Sequence, residues 1–520
     1  MRSPRIILTL LLLLSGLAVL PAHAQLREAE QLLERWEPEA AEARLRAALA
    51  RDPRDLHLLA LQARAAFYRG AYAEAVKRLD EALALPGATD ELKELRLFIE
   101  QTHEVARGYT TYESPHFALR LDARRDGILA SFALEALEAT HQVVSRDLGF
   151  AQTPKVRVEI VPDSQSFQAV SSLTVRDIEQ AGAVGIAKFN KLMLISPRAL
   201  VHGYRWLDSL VHEYLHYAIV KLSGNRAPIW VHEGIAKHEE ARWRSPGSLY
   251  LSPSNQSLLA QAGRENRFVP FEKMDPAIIR LETPFEIHLA YAQSASAVDF
   301  LVSRAGYVGL RAFLQAMPEF ERQPARGALQ KVFGLTFGEF ERQWEAFLRA
   351  KGLQEVPGVS IPQYKVRGQR TDDERLELEE IKDAIARNRT RLADLFRERG
   401  RLGAAVLEYR RALRESPQSV VILTKLARTH IAMDRPQEAL PLLQQARQID
   451  PDRASIHSVL GTVLLRLGDL PAARRALEEA VQINPFDPRV HQELGQVYDR
   501  LGEPARAQQA RERFKLLGAR

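Results

Sequence analysis

Two histidines four residues apart, with a glutamate directly after the first, stand in 208-DSLVHEYLHYAIV-220. Around them Leu207, Val211, Leu215, Ala218 and Ile219 recur at three- and four-residue steps, which predicts an amphipathic helix. On such a helix His212 and His216 lie one turn apart on the same face. Two imidazoles so placed reach one tetrahedral zinc ion, and Glu213, about 100° around the helix, reaches a water beside that ion. The same residues also read as two solvated histidines next to a glutamate. A catalytic zinc needs a third protein ligand and leaves its fourth position open, so the stretch that follows matters.

Pro228 and 223-SGN-225 break the first helix, and 227-APIWVHEGIAKHEEARW-243 carries a second helical pattern through Trp230, Ile235, Ala236 and Trp243. Glu233 lies within it, and so does His232, a second candidate for the third ligand; Glu233 could equally solvate or cap the helix. His-Glu-x-x-His is the zincin signature, and together with 230-WVHEGIA-236 it resembles the gluzincin metallopeptidases, whose third ligand is a glutamate in a Trp-x-x-Glu-Gly-x-Ala context. The resemblance is in particular to bacterial peptidase-MA-like proteins that flank such a domain with tetratricopeptide repeats, and it covers residues 108–350. It implies a zinc ion held by His212, His216 and Glu233, with Glu213 as the general base. It also implies a tyrosine that donates to the developing oxyanion, and Tyr291 in 290-AYAQSASAVDFL-301 matches by order and approximate distance. The rival reading of Tyr291 is a core or surface tyrosine.

Ligating imidazoles are normally oriented by further carboxylates. Asp208 is one turn before His212, and Glu240 is two turns after Glu233 and matches an acidic residue of aminopeptidase-type gluzincins. The thermolysin-like pattern has a carboxylate four residues after the ligand, where this chain has Lys237. For both Asp208 and Glu240 a solvated helix face is the competing reading. Aminopeptidase-type gluzincins also carry a Gly-x-Met-Glu-Asn stretch whose glutamate grips the substrate's ammonium. Here the comparable region, 182-GAVGIAKFNKLML-194, has no carboxylate and its Lys188 would repel a free amino terminus, so the expected activity is endopeptidase cleavage along an edge strand, unless Glu159, Glu179 or a residue after the zinc helix replaces the missing anchor.

These residues need a scaffold. Short apolar runs in 116-HFALRL-121, 155-KVRVEIVP-162 and 189-FNKLMLISP-197 predict strands. Towards the carboxyl terminus a 34-residue step relates Pro417, Pro451 and Pro485, Ala405, Ala439, Ala473 and Ala507, and Leu392, Leu426, Leu460 and Leu494. That period predicts tetratricopeptide repeats, each an antiparallel helix pair. Ala41, Leu45, Ala48 and Pro53, echoed by Ala75, Leu79 and Ala82, predict two more repeats near the amino terminus, flanked by a helix over 90–106. The expected fold is an α+β zincin-like domain between helical solenoids: a signal peptide over 1–24, repeats over 25–107, a peptidase domain over 108–350, a linker over 351–373 and repeats over 374–520.

Arg2 and Arg5, the apolar run 6-IILTLLLLLSGLAVL-20 and 22-AHA-24 read as a secretory signal cleaved near Ala24, with a retained anchor as the alternative. The mature chain is then expected in a bacterial periplasm or secreted, without an integral membrane segment. With no cysteine, neither disulfides nor thiolate chemistry are available, and zinc must take nitrogen and oxygen ligands. A net charge of +6 on 72 basic and 66 acidic residues, with no basic block, does not point to nucleic acid. The expected partners are a peptide or protein substrate and a protein bound by the repeats. The rival to an enzyme is an envelope scaffold whose metal domain has lost turnover.

Overall fold

The computed structural model describes residues 22–357, 359, 364–368 and 373–518. The apolar run of the expected signal lies outside the described residues, and Ala22 begins the first helix. Among the described residues no helix is long and apolar enough to cross a membrane. The chain divides into two compact units, Met1–Leu97 and Phe98–Arg520.

In the first unit, helices Ala22–Glu34, Pro38–Leu49, Leu56–Arg69 and Tyr72–Leu83 pack as successive neighbours. Ala29, Leu33, Ala41, Leu45, Ala48, Leu58, Leu61 and Ala65 close their core. Small residues at the crossings let the helix backbones approach. Helix Asp90–Ala106 spans the boundary between the units, so the first ends ten residues before the expected 107.

The second unit is built on a five-stranded sheet of order β1-β2-β3-β5-β4, with β1 Thr110–Glu113, β2 Phe117–Leu121, β3 Val156–Val161, β4 Gly185–Lys188 and β5 Lys191–Ile195. The three inner strands are parallel, as in the pairs Leu119 with Val158 and Val158 with Leu192. The two edge strands run antiparallel to their neighbours. β5 is buried along its whole length, as a strand covered on both faces must be. Helix Leu129–Leu148 packs on β2, while helix Trp206–Ser223, which carries His212, packs on β4 and β5. That helix differs from the expected amphipathic one: besides Val211, Leu215, Ala218 and Ile219 it buries Trp206, Leu210, Tyr214 and Tyr217. A helix apolar on nearly every side belongs to the interior.

It ends at Gly224, whose φ of 58° is the left-handed cap that glycine supplies. Pro228 then leads into helix Ile229–Glu239. The long helix Pro284–Ala316, opened by a Thr283–Glu286 capping box and interrupted at Gly306, packs against it. Gly234 makes that packing possible, because a Cβ there would meet the Ser294 carbonyl oxygen at 2.5 Å. This glycine of the Trp-x-x-Glu-Gly-x-Ala context is therefore a close-approach residue.

Eight helices from Ala384–Glu398 to Pro504–Gly518 form four antiparallel pairs at the expected period. Ala405, Ala439, Ala473 and Ala507 are all fully buried. These repeats belong to the same compact unit as the sheet. Tyr204 N–H donates to the Ile483 carbonyl at 3.1 Å, and the Trp206 indole donates to the Val481 carbonyl at 3.2 Å. Arg205 pairs with Asp452 and, at 2.8 Å, with Glu479. The described part of the expected linker also takes part in the fold. Val366 bridges to Leu200, and Tyr364 lies edge-on to Tyr204.

Candidate metal centre

His212 and His216 point from their helix towards Glu233 on the next. His212 Nε2 is 3.1 Å and His216 Nε2 is 3.6 Å from Glu233 Oε2. The rings stand nearly perpendicular, at 88° with centroids 4.7 Å apart. One donor atom from each of the three residues falls within 4.8 Å of the others, and among the described residues no other histidine and carboxylate group converges so closely. In a tetrahedral zinc site with bonds near 2.0–2.1 Å, ligand atoms are about 3.3 Å apart. The separations to Glu233 bracket that edge, and two imidazole nitrogens with one carboxylate oxygen are zinc's own ligand types, so the residues present fit the ion. His232, the other candidate for third ligand, instead lies against the His216 ring at 5.5 Å between centroids.

Charges around this cluster are sorted unequally. Burial works against the Glu233 anion, yet His216 and His212 outweigh it and hold the carboxyl well below the usual range. Burial also works against a charged His212, but hydrogen bonds with Glu233 and Glu240 push it up to about 10. For Glu213 burial dominates and raises its pKa, with the Ala187 backbone N–H of β4 donating to its carboxylate. Two carboxylates side by side are thereby driven apart in proton affinity, the pattern of a ligand beside a base. Among the described residues no lysine or arginine pairs with Glu213 or Glu233.

Glu240 Oε2 lies 3.0 Å from His212 Nδ1, and Lys237 Nζ holds the other oxygen at 2.8 Å. Lys237 thus fixes the carboxylate that orients the imidazole. Asp208 does not share this task. Its two oxygens take a fork from Arg244 at 2.9 and 2.6 Å, and the Trp243 indole adds a third bond at 3.1 Å. Helical side chains tilt towards the amino terminus, so a residue one turn earlier projects away from His212. Asp208 instead ties its helix to the turn that follows the Glu233 helix. Tyr291 sits on the long helix, where burial raises its pKa well above the ordinary value and the charges of Glu233 and Glu213, felt through space, raise it further.

Several participants gave no sequence signal of their own. Ala187 contributes only its backbone, so its identity could not reveal it. His288, one turn before Tyr291, is pushed down to about 4 by burial and by the Lys237 charge. Behind the site helix, Tyr214 donates to Gln152 Oε1 at 2.7 Å and meets His141 Nδ1 at 2.8 Å. These bonds lock the helix against rotation about its own axis. At the far end of the Glu233 helix, Tyr307 donates to Glu239 at 2.8 Å and fastens it to the long helix. The expected substitutes for a substrate anchor are engaged: Glu159 is buried against Lys191 at 2.7 Å and Arg120 at 3.3 Å, and Glu179 accepts from the Val366 N–H at 3.2 Å.

A family model of the tetratricopeptide repeat matches residues 396–463 and 434–496. The carboxyl-terminal helix pairs are tetratricopeptide repeats. Solved structures with similar segments include a crystal structure of the MamA protein, 26% identical, covering 26% of this chain and 74% of that one at a TM-score of 0.25. A second crystal structure of MamA is 28% identical and covers 24% of this chain and 73% of that one at 0.23. MamA 41-end from Desulfovibrio magneticus RS-1 is 18% identical and covers 27% and 84%, at 0.25. No curated protein matches the chain.

Proposed function

We propose that this chain is a zinc-dependent peptidase that cuts within polypeptides, with repeats that bind its substrate or a protein partner. The observation that carries the reading is the convergence of His212, His216 and Glu233, with Glu213 buried beside them and, among the described residues, paired with no lysine or arginine. When bound, zinc supplies Lewis-acid activation of water and of the scissile carbonyl. Glu213, whose raised pKa suits a group that both takes and returns a proton, accepts the proton of the attacking water and delivers it to the leaving nitrogen. Ala187 N–H steadies the carboxylate, Glu240 holds His212 in one tautomer, and the Tyr291 hydroxyl donates to the oxyanion. β4, with one unpaired edge in the sheet, offers backbone to an extended peptide. The proposed place of action is the periplasm or the exterior, resting on the secretory pattern over 1–24.

The repeats favour a second reading, a protein-binding scaffold without turnover, because stacked helix pairs present concave surfaces to other proteins. One experiment separates the two. Released peptides are compared between cells carrying the native protein and Glu213→Gln, alongside purified protein on an internally quenched peptide library. The enzyme reading expects peptides that vanish in the variant while bound zinc is retained. Identical peptide profiles, with both proteins folded and zinc-loaded, would leave the scaffold.

A further inference from the structure

The first of the four carboxyl-terminal helix pairs has no pair stacked before it, and its outer side differs from those of its neighbours. In the later pairs Leu426, Leu460 and Leu494, and likewise Thr429, Val463 and Val497, are at most 4% exposed. They are buried against the preceding pair: Leu426 shares a core with Ala405 and Tyr409, Leu460 with Ala439 and Leu443, and Leu494 with Ala473 and Leu477. This is the face on which one repeat stacks on the next, and not the concave one. One 34-residue step earlier the same two places are Leu392 and Leu395 on helix Ala384–Glu398. There Leu392 is 41% and Leu395 is 44% exposed.

A repeat array that simply ends does so in a polar surface. Two positions follow that rule: Asn388 stands where the later pairs have Ile422, Ile456 and Val490, and Arg399 where they have Met433, Leu467 and Leu501. The leucines between them keep the apolar character of a stacked position while open to solvent. With Ile385, 54% exposed and two turns before Leu392, they form a stripe along the helix. An apolar centre within a polar rim is the anatomy of a protein interface. Arg391 and Arg399 are exposed beside the stripe and make no ion pair among the described residues, whereas Arg389 and Arg397 of the same helix meet Glu408 at 3.2 Å and Asp394 at 3.9 Å. From this we infer that the open end of the array docks one amphipathic helix of a partner protein, its apolar seam on Leu392 and Leu395 and its flanking carboxylates towards Arg391 and Arg399. A second copy of this chain is a poorer occupant. The face would meet itself with arginines opposed, and the exposed Phe514 at the other end of the array lies between Arg511 and Lys515. The inference is independent of the metal centre.

Fluorescence anisotropy of the full-length protein tests it with three labelled, hydrocarbon-stapled 14-residue helices patterned on Leu470–Ile483, the helix that covers the equivalent face of the last pair. One keeps the apolar seam and carries glutamates on its flanks, the second carries lysines there, and the third has serines along the seam. Saturable binding of the acidic helix is expected, about fivefold tighter or more than the basic helix and about tenfold tighter or more than the serine helix. Leu392→Gln combined with Leu395→Gln should weaken it by roughly tenfold or more, because the apolar seam loses both its contacts. Arg391→Glu combined with Arg399→Glu should reverse the preference between the acidic and basic helices. Leu407→Gln, at an exposed leucine of the following helix, should stay within about threefold of the native protein. No saturable binding of the acidic helix at about 1 mM, equal binding of all three, preference for the basic helix, or undiminished binding in the double glutamine variant with circular dichroism unchanged would each overturn the docking face. A native dimer seen by light scattering and abolished by the double glutamine variant would assign the face to a second copy instead, and binding to phosphatidylglycerol vesicles lost in that variant would assign it to a lipid surface.

Discussion

Gly203 offers a one-atom test of whether the repeats brace the helix that carries His212. Its φ is +72°, and a Cβ there would meet the Ile483 carbonyl oxygen at 2.5 Å and Asn484 Cβ at 3.0 Å. Replacing it with alanine first incurs the left-handed strain of an L-residue, about 1–2 kcal/mol. The methyl must then push Ile483 away, and the same carbonyl accepts the Tyr204 N–H at 3.1 Å, so that bond is lost for a further 0.5–1.5 kcal/mol or so. The sum is about 1.5–3.5 kcal/mol, placed where Arg205 and Trp206 also reach the repeats. Gly468 supplies the control: its φ is +82° and nothing lies within 4 Å of an added Cβ, so Gly468→Ala meets the strain alone. Because the chain has two units, a global unfolding curve need not be two-state, and hydrogen exchange followed by mass spectrometry is the better assay. Peptides covering 199–211 and 480–486 should exchange about tenfold faster or more in Gly203→Ala, a difference of 1.4 kcal/mol. In Gly468→Ala they should be nearly unchanged. Equal exchange at the interface in both variants would refute the brace.

Purified protein should carry about one zinc per chain; Glu233→Gln should lose it, while Glu240→Gln should keep the stoichiometry with affinity roughly 10- to 100-fold weaker, measured by chelator competition. Folded native protein with no bound or restorable zinc would remove the metal centre. Doubly blocked, internally quenched peptides should be cleaved in preference to aminoacyl fluorogenic substrates, since Lys188 lines the strand region where an ammonium anchor would be needed and Glu159 is buried against Lys191; cleavage of free-amine substrates alone would reverse the assignment. Asp126, fully buried with the Ser196 hydroxyl at 2.8 Å, is pushed up to about 6 by burial, which Arg198 only partly opposes. A raised folded pKa gives stability that is present below the unfolded value of 3.8 and lost as pH rises through 6, so Asp126→Asn should gain roughly 3 kcal/mol on the native protein between pH 3.5 and 7 by calorimetry of the second unit. A difference that stays flat with pH would mean that the carboxyl is charged throughout.

The parts of this molecule legible in its sequence are those with local causes. The break at 223-SGN-225 is a left-handed cap, the 34-residue step fixes where Ala405, Ala439, Ala473 and Ala507 are buried, and three apolar runs become β2, β3 and β5. β1 escapes because its four residues, Thr110–Glu113, are an edge strand with little buried surface. The role given to Asp208 fails for a different reason. Spacing placed it one turn from His212, but its true partner, Arg244, is 36 residues away, and nothing local announces such a pairing. The docking of the repeats is more remote still, with Arg205 and Glu479 separated by 274 positions.

The site itself was legible because it violates the pattern around it. On a helix buried nearly all round, polar side chains at 208, 212, 213 and 216 interrupt the apolar surface, and each must be compensated or it costs stability. Asp208 is compensated by Arg244, and Glu240 on the neighbouring helix by Lys237. Glu213 and Glu233 have only the two histidines between them, and no lysine or arginine pairs with either among the described residues. A fold that needed these groups only for packing would be better served by leucine at each position, since isosteric apolar replacement of a buried charge cluster is commonly neutral or stabilising. A divalent cation at the point shared by His212, His216 and Glu233 would satisfy the charge left unmatched there, and it would leave Glu213 free of a ligand's task.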